Sequence, residues 1–497
     1  MYLDNGTLVY SPSDLTRFME SPFASWMQRL HVECPERLTP DVPSDELKLY
    51  ADAGITHEAD FVKKLKETGC DFCQIEGESW EERSRLTQLA MSQGREVIFQ
   101  AYLSRMPFAG YADFLVRSPT QPLEYEVWDT KLAKKPKPYF LIQLCCYAEM
   151  LEFMQGARPE FVSVVLGNGS QQKFRTEDYY YYYQQLKGAF LEQMATFDSE
   201  GEHPVPDPRA DHGLWQSHAE QWLRDRDHLF QVANISLSQI QKLNAAGIET
   251  VAQLADSKFS RIPRLHDDSY RKLVTQAVVQ MKTRDAQDQA EEGLSVRPAF
   301  EILPPDPINL RSGLALLPPA SAGDIYFDIE GYPLIDGGLE YLLGAVTIEN
   351  NETQFHDWWA HNPAEEKLSF EQFIDWVMAR WKQNPTMHIY HYAPYEVSAM
   401  RRLMGKYGTR EDEVDDLLRA GVFVDLYQIV RQSILLGASN YSLKTVELLY
   451  QKQREGDVKS AGASMVYYAN WIESDEPSDW QNSPILKDIR DYNEVDC

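Results

Sequence analysis

Three short strings in the first third of the chain carry residue types suited to metal-dependent hydrolysis of a phosphodiester: Gly110-Tyr-Ala-Asp113, Asp129-Thr-Lys131 and Gln143-Leu-Cys-Cys-Tyr147. Residues 106–117 read as a turn followed by an apolar strand, which places Asp113 on a strand, and residues 124–132 alternate with the period of a second one. Side chains two apart on a strand point the same way, so Asp129 and Lys131 share a face. Residues 139–153 have helical spacing, and Gln143 and Tyr147, four apart, stack on one helix face. Two carboxylates suit Mg²⁺ or Mn²⁺, which prefer oxygen ligands. A neighbouring ammonium can position or deprotonate a water and offset charge building on phosphorus.

A second set of acids lies near the other end. Asp324-Ile-Tyr-Phe-Asp328-Ile-Glu330 is an apolar strand with Asp328 and Glu330 on one face. Residues 339–348 and 353–359 read as further strands and 371–381 as a helix. A strand at 388–392 runs into a helix start at Glu396, a strand-to-helix corner from which that carboxylate can reach the pair. Asp425 falls in 422–434 and reads as structural, with a place in the site as the alternative. Tyr492 and Asp496, four apart, share a face of a last helix.

Between the two sets, residues 237–254 hold a helix that ends at Gly247, a residue able to take the left-handed C-cap. Ile248 then plugs a core and Thr250 caps the next helix; a second helix pair over 269–283 is expected to close the unit. Residues 285–320 turn acidic and then Pro-rich (Pro298, Pro304, Pro305, Pro307, Pro318, Pro319), which reads as a linker or extended wrap.

At 497 residues the chain has room for two to four domains, and its 43% hydrophobic and 12% aromatic content excludes general disorder. The first residues lack a signal-peptide pattern and no 18-residue apolar run occurs, so a cytoplasmic protein with no membrane partner is expected. The six cysteines include a single C-x-x-C, Cys70-Asp-Phe-Cys73, too little for a zinc or cluster site without two more ligands, and suit a reduced compartment. The net charge of −28 runs against the basic footprint usual for nucleic-acid binding. Carboxylate-rich metal sites contribute to such a balance, and a bound divalent ion inverts the local sign. Basic clusters do occur: Lys134, Lys135 and Lys137 follow Lys131, and Arg401, Arg402 and Lys406 lie on one later helix.

The strings G-x-x-D, D-x-K and Q-x-x-x-Y, in that order, resemble the RecB-like branch of the PD-(D/E)XK nuclease superfamily over residues 8–190. The resemblance implies a restriction-endonuclease-like core with Asp113 and Asp129 as metal ligands and Lys131 activating water. Gln143 and Tyr147 would then contact the DNA backbone. An upstream helix in that branch carries a histidine ligand, which Gly54-Ile-Thr-His57 matches, so His57 would be the third ligand on a helix opening there. Ser11-Pro-Ser-Asp14 and Ser21-Pro-Phe23 also resemble the branch's opening. Many of its members tie the N-terminus to the far end of the domain with four cysteines around an iron–sulfur cluster. Here Ser21 stands at the first of those positions and residues 204–227 contain no cysteine, so no iron–sulfur cluster is expected.

The second acidic set is similar to the DEDD 3′–5′ exonuclease group of the ribonuclease H-like fold. That likeness implies Asp328, Glu330, Glu396 and Asp496 as ligands of two metal ions and Tyr492 as the residue that orients water. Most members of the group carry Asp where this chain has Glu396. The helix–Gly247–helix stretch resembles a helix-hairpin-helix module, whose turn offers backbone N–H groups to a DNA phosphate.

The expected fold is therefore α/β multidomain. Residues 1–228 would form the RecB-like nuclease domain and 229–284 a helical helix-hairpin-helix-like module. Residues 285–320 would be the linker, and 321–497 a ribonuclease H-like α/β domain truncated at its C-terminus. Proteins of this arrangement often continue into a superfamily I helicase, so a fragment of a longer helicase-nuclease is expected, with a helicase domain or partner beyond it. No Walker A string occurs in these residues. The expected activity is Mg²⁺- or Mn²⁺-dependent exonuclease action on single-stranded or end-bearing DNA in DNA processing or repair. The alternatives are a non-catalytic nucleic-acid-binding adaptor for a helicase and an RNA-degrading 3′–5′ exonuclease working through the C-terminal domain.

Overall fold

Alternating apolar residues from Val97 onward build the scaffold of the first site. In the computed structural model the strands Phe72–Gln74 (β1), Val97–Arg105 (β2), Phe108–Arg117 (β3), Tyr125–Lys131 (β4), Phe161–Leu166 (β5) and Gln171–Arg175 (β6) form one sheet in chain order. β1 with β2 and β4 with β5 are parallel; the other pairs are antiparallel. The parallel step from β4 to β5 needs a crossover, which the helix Pro138–Gln155 provides. That helix is apolar nearly all round, buries Ile142, Leu144, Cys145, Cys146 and Leu151, and ends at Gly156 in the left-handed region.

The structure describes residues 1–119, 121, 124–290, 296–305, 308–309, 311–451, 458 and 460–497. They divide into two compact units, Met1–Trp222 and Leu223–Cys497. One feature of the first unit departs from expectation. The helix carrying His57 runs from Asp45 to Glu67, starting nine residues before Gly54, because the Ser44 hydroxyl caps Leu47 N–H at 3.2 Å and Asp45 and Glu46 favour its first turn. Ser21 is buried, and its hydroxyl lies 2.7 Å from His212 Nδ1 beside a core of Phe23, Trp26, Leu30 and Trp215. A hydrogen bond and aromatic packing thus join the N-terminal helix Pro22–Glu33 to the end of this unit.

In the second unit Ile325–Tyr332 (β7), Leu339–Glu349 (β8), Glu352–Trp359 (β9), Ile389–His391 (β10) and Phe423–Asp425 (β11) lie in the order β9-β8-β7-β10-β11. The first three are antiparallel, and β10 and β11 run parallel to β7. The helix Pro363–Gln383 buries Phe370, Phe373 and Ile374 against the sheet, with Phe373 stacked on Phe327 at 4.4 Å. β7, the strand with the two acids, is central and held from both sides.

The helices Leu237–Asn244, Val251–Ala255 and Asp267–Asp288 pack around Leu243, Ile248, Leu254 and Leu273. They are joined to the sheet domain instead of standing apart. Gln276 Nε2 donates to Leu436 O at 2.6 Å and the Tyr441 hydroxyl donates to Gln276 Oε1 at 3.0 Å, all three residues being buried. At Gly437 a Cβ would lie 1.9 Å from Thr283 Oγ1, so this close approach requires glycine. The Pro-rich stretch supplies a strand, Phe300–Ile302, antiparallel to Ile434–Leu436, and belongs to the same compact unit; Pro307 lies outside the described residues.

Candidate functional site

β7 presents Asp328 and Glu330, and the helix Pro484–Asp496, capped by the Ser483 hydroxyl on Leu486 N–H at 3.1 Å, brings Tyr492, Asn493 and Asp496 to them. One ligand atom each of Asp328, Glu330 and Asp496 lies within 4.8 Å of the others, and no other trio of metal-ligating side chains does so among the described residues. Asn493 Nδ2 donates to Asp328 Oδ2 at 2.7 Å, and the hydroxyls of Ser464 and Tyr341, hydrogen-bonded to each other at 2.6 Å, favour the charged form of Glu330. The close approach of Asn493 depends on Gly344, which pairs with Asp328 across the ladder. A Cβ at 344 would sit 1.7 Å from Asn493 Oδ1.

Electrostatics set this site apart. Burial, then the charges of Glu330, Asp496 and Glu396, push the Asp328 carboxyl well above its ordinary range. Burial also raises Glu330, to about 8, with Asp496 adding to the shift and the two hydroxyls and Lys444 opposing it. Three carboxylates held this close repel one another until a cation joins them, so the donor set fits a divalent metal with a preference for oxygen ligands. Residues 325–497 match the family model of the RNase_H superfamily. No curated protein matches the chain. The match opens on the first residue of β7 and takes in Asp328, Glu330, Glu396, Tyr492 and Asp496.

Within this RNase H superfamily domain the remaining expected residues fall as follows. Glu396 is buried on the helix Tyr395–Tyr407, with Oε2 3.3 Å from His391 Nδ1. It stands outside the close trio, though its charge reaches Asp328. Tyr492 hydrogen-bonds Asp496, and burial followed by the Asp496 charge raises its hydroxyl. Asp425 is structural: Oδ1 accepts from Ala393 N at 3.1 Å and Tyr427 N at 3.0 Å, capping a helix. The basic cluster on 401–406 is largely neutralised, because Arg402 pairs with buried Glu340 and Lys406 with buried Glu366 at 2.5 Å.

A stability prediction follows from the raised carboxyls. Their folded values exceed the unfolded ones, so the protonated acids stabilise the fold at low pH, and that contribution is lost as pH rises past 4.5 and through about 8. In EDTA the melting temperature of this unit should fall by several degrees between about pH 5 and about pH 9. Adding Mn²⁺ at the upper pH should restore it; thermal melts with and without the metal check this. A second expected outcome concerns Gly344→Ala. The added methyl displaces Asn493 and the helix bearing Asp496, weakening Mn²⁺ binding by about 10–100-fold in calorimetry, as loss of a ligand's supporting hydrogen bond does.

In the first unit Asp113 on β3 and Asp129 on β4 come together. Asp113 Oδ2 accepts from Thr130 N at 3.0 Å and Thr130 Oγ1 at 3.2 Å, and Lys131 Nζ lies 2.5 Å from Asp129 Oδ2. Burial and then the Asp113 charge raise Asp129 well above the carboxylate range. Burial would lower Lys131, but Asp129 and Asp113 outweigh it and hold the ammonium charged. The helix Asp45–Glu67 packs against β4, and His57 Nε2 is buried there with no hydrogen-bond partner. The orphaned nitrogen thus lies on the helix packed against the Asp129 strand, while His57, Asp113 and Asp129 do not draw as close as the C-terminal trio.

Gln143 is partly exposed on its largely buried helix. Tyr147 is buried, and its hydroxyl donates to Tyr111 O at 2.7 Å, so in this structure it props the Asp113 strand. Lys134, Lys135 and Lys137 are exposed just beyond Lys131. Glu58 was not anticipated. Its Oε1 accepts from Gln100 Nε2 at 3.3 Å, and burial followed by the Asp113 charge raises it. Gln100 takes a φ of 55° where the β2–β3 ladder skips its pairing with Asp113. No periodicity signals such a kink.

Gly247 has the expected left-handed φ of 81°, Ile248 is buried and Thr250 caps Gln253 N–H. The expected phosphate donors are used up, however. The N–H groups of Ala245, Ala246, Gly247 and Ile248 donate to carbonyls of the preceding helix, and those of Glu249 and Thr250 to Gln253 Oε1. Gly247 therefore shapes the turn, and no backbone donor there is open to DNA. No helix among the described residues is long and apolar enough to cross a membrane.

Proposed function

We propose that the chain is a metal-dependent nuclease that hydrolyses phosphodiester bonds, with Asp328, Glu330 and Asp496 at the reacting centre. The observation that carries this reading is the cluster of three mutually repelling carboxylates in an RNase H superfamily domain. Mg²⁺ or Mn²⁺ is the cation the oxygen donors fit. When bound, it polarises a phosphoryl oxygen and lowers the pKa of its water. Asn493 and Gly344 hold Asp328 in place, the Ser464 and Tyr341 hydroxyls favour the charged form of Glu330, and Tyr492 stands against Asp496 where its hydroxyl can orient the attacking water.

The first unit supplies a second centre of the PD-(D/E)XK kind, in which His57, Asp113 and Asp129 would bind the metal. Lys131, kept charged, would donate to the phosphoryl oxygen as charge builds there. Its support is the Lys131–Asp129 pair together with the orphaned His57 nitrogen. Exonuclease action on single-stranded or end-bearing DNA, in DNA processing, is the substrate assignment. A time course on short labelled single-stranded DNA, duplex DNA and RNA, with Mn²⁺ and with EDTA, tests it. Metal-dependent shortening of the single-stranded DNA is expected; a chain that binds these strands and cuts none of them is an adaptor instead.

A further inference from the structure

The helical segment contains two turns of one design. In the first, Gly247 at a φ of 81° is followed by buried Ile248; in the second, Arg264 at a φ of 62° is followed by buried Leu265. The left-handed region favours glycine and strains arginine, so the second turn keeps a guanidinium where glycine would be the easier residue. From Lys258 to Lys272 the chain holds five cations (Lys258, Arg261, Arg264, Arg271 and Lys272) against two carboxylates, Asp267 and Asp268, within a protein of net charge −28.

Arg271 pairs with Asp268. Lys258, Arg261, Arg264 and Lys272 are all exposed, and among the described residues their side chains make no ion pair or hydrogen bond. The backbone N–H groups of Arg264 and His266 are likewise open, unlike those of the first turn. Phe259, between the first two cations, is 54% exposed. Unpaired cations cost the fold by mutual repulsion unless an anion joins them, and an aromatic ring among them offers a face for a base.

We propose that the turn joining Val251–Ala255 to Asp267–Asp288 docks a nucleic-acid strand, with Lys258, Arg261 and Arg264 on successive phosphates and Phe259 stacked on a base. The nuclease reading enters only in choosing nucleic acid as the polyanion. The strand is taken by side chains, since the neighbouring Gly247 turn has no open donor.

The test is fluorescence anisotropy of the full-length chain in EDTA, with fluorescein-labelled 20-mer single-stranded and duplex DNA, titrated over salt. The variant K258A/R261A/R264A should bind at least about 10-fold more weakly near 0.1 M salt. Its dependence of log K on log salt should flatten by about 0.7–0.9 per lost phosphate contact. Arg264→Gly relieves the backbone strain and so keeps the turn; it should still lose affinity by about 3–10-fold. Phe259→Ala should weaken the single strand by about 10-fold and the duplex little. An unchanged affinity and salt slope in the triple variant overturns the proposal. So does polyglutamate competing as well as the oligonucleotide, which would assign the surface to an acidic protein. Loop variants that lose binding in a chain that never cleaves would sink the nuclease reading and leave the docking surface standing.

Discussion

Asp328→Asn should lower Mn²⁺-dependent hydrolysis by the RNase H superfamily domain by about 10³-fold, the equivalent of several kcal/mol of lost charge stabilisation. The substitution keeps the shape of the side chain and leaves Asn493 beside it. It removes one of three charges that lie within 4.8 Å of each other. It should also make the apo domain more stable at pH 8, because the repulsion and burial that raise the carboxyl vanish with its charge. Activity and stability moving in opposite directions distinguish a metal ligand from a structural acid, whose loss would lower both. Initial rates on a labelled oligonucleotide, paired with melts in EDTA, read the two effects; a variant of normal rate would remove Asp328 from the reacting centre.

Lys131→Met carries the other large expectation. In an Asp328→Asn background, so that only the N-terminal centre is read, it should cut the remaining cleavage by about 10²–10⁴-fold, the range for a positioned proton-transfer or charge-stabilising group. Binding of the same DNA should change less than about 3-fold, because the exposed Lys134, Lys135 and Lys137 stay in place. Lys131 is held by the Asp129 contact at 2.5 Å and lies over the Phe140 ring at 5.6 Å, so methionine can follow its stem. Equal residual rates with and without the lysine would deny that centre a catalytic role.

Local pattern made much of this legible. Period-two alternation placed Asp328 with Glu330 and Asp129 with Lys131, and the four-residue step placed Tyr492 with Asp496, because those relations depend only on backbone geometry. Relations set by distant packing were hidden. Arg402 and Lys406 read as a free basic cluster, yet buried acids on β8 and on the helix Pro363–Gln383 absorb both. Asn493 sits between Tyr492 and Asp496, but an asparagine signals nothing until Gly344 is seen opposite it. The start of the His57 helix was set too late because Gly54 looked like an opening. A glycine inside a helix costs only about 1 kcal/mol, which the capped 23-residue helix absorbs. The Gly247 turn was read correctly in shape and wrongly in its donors, since spacing does not reveal which N–H groups a turn has already used.

The seam at Gly437 has a practical bearing on how this protein can be dissected. A polypeptide cut to begin near residue 321 would lose Phe300–Ile302 and the helix Asp267–Asp288 together. The edge of Ile434–Leu436 and the Leu436 and Tyr441 side chains would be stripped of their cover. Bare strand edges with apolar flanks aggregate, so the acid cluster should be expressed from Leu223 onward, where the compact unit itself begins.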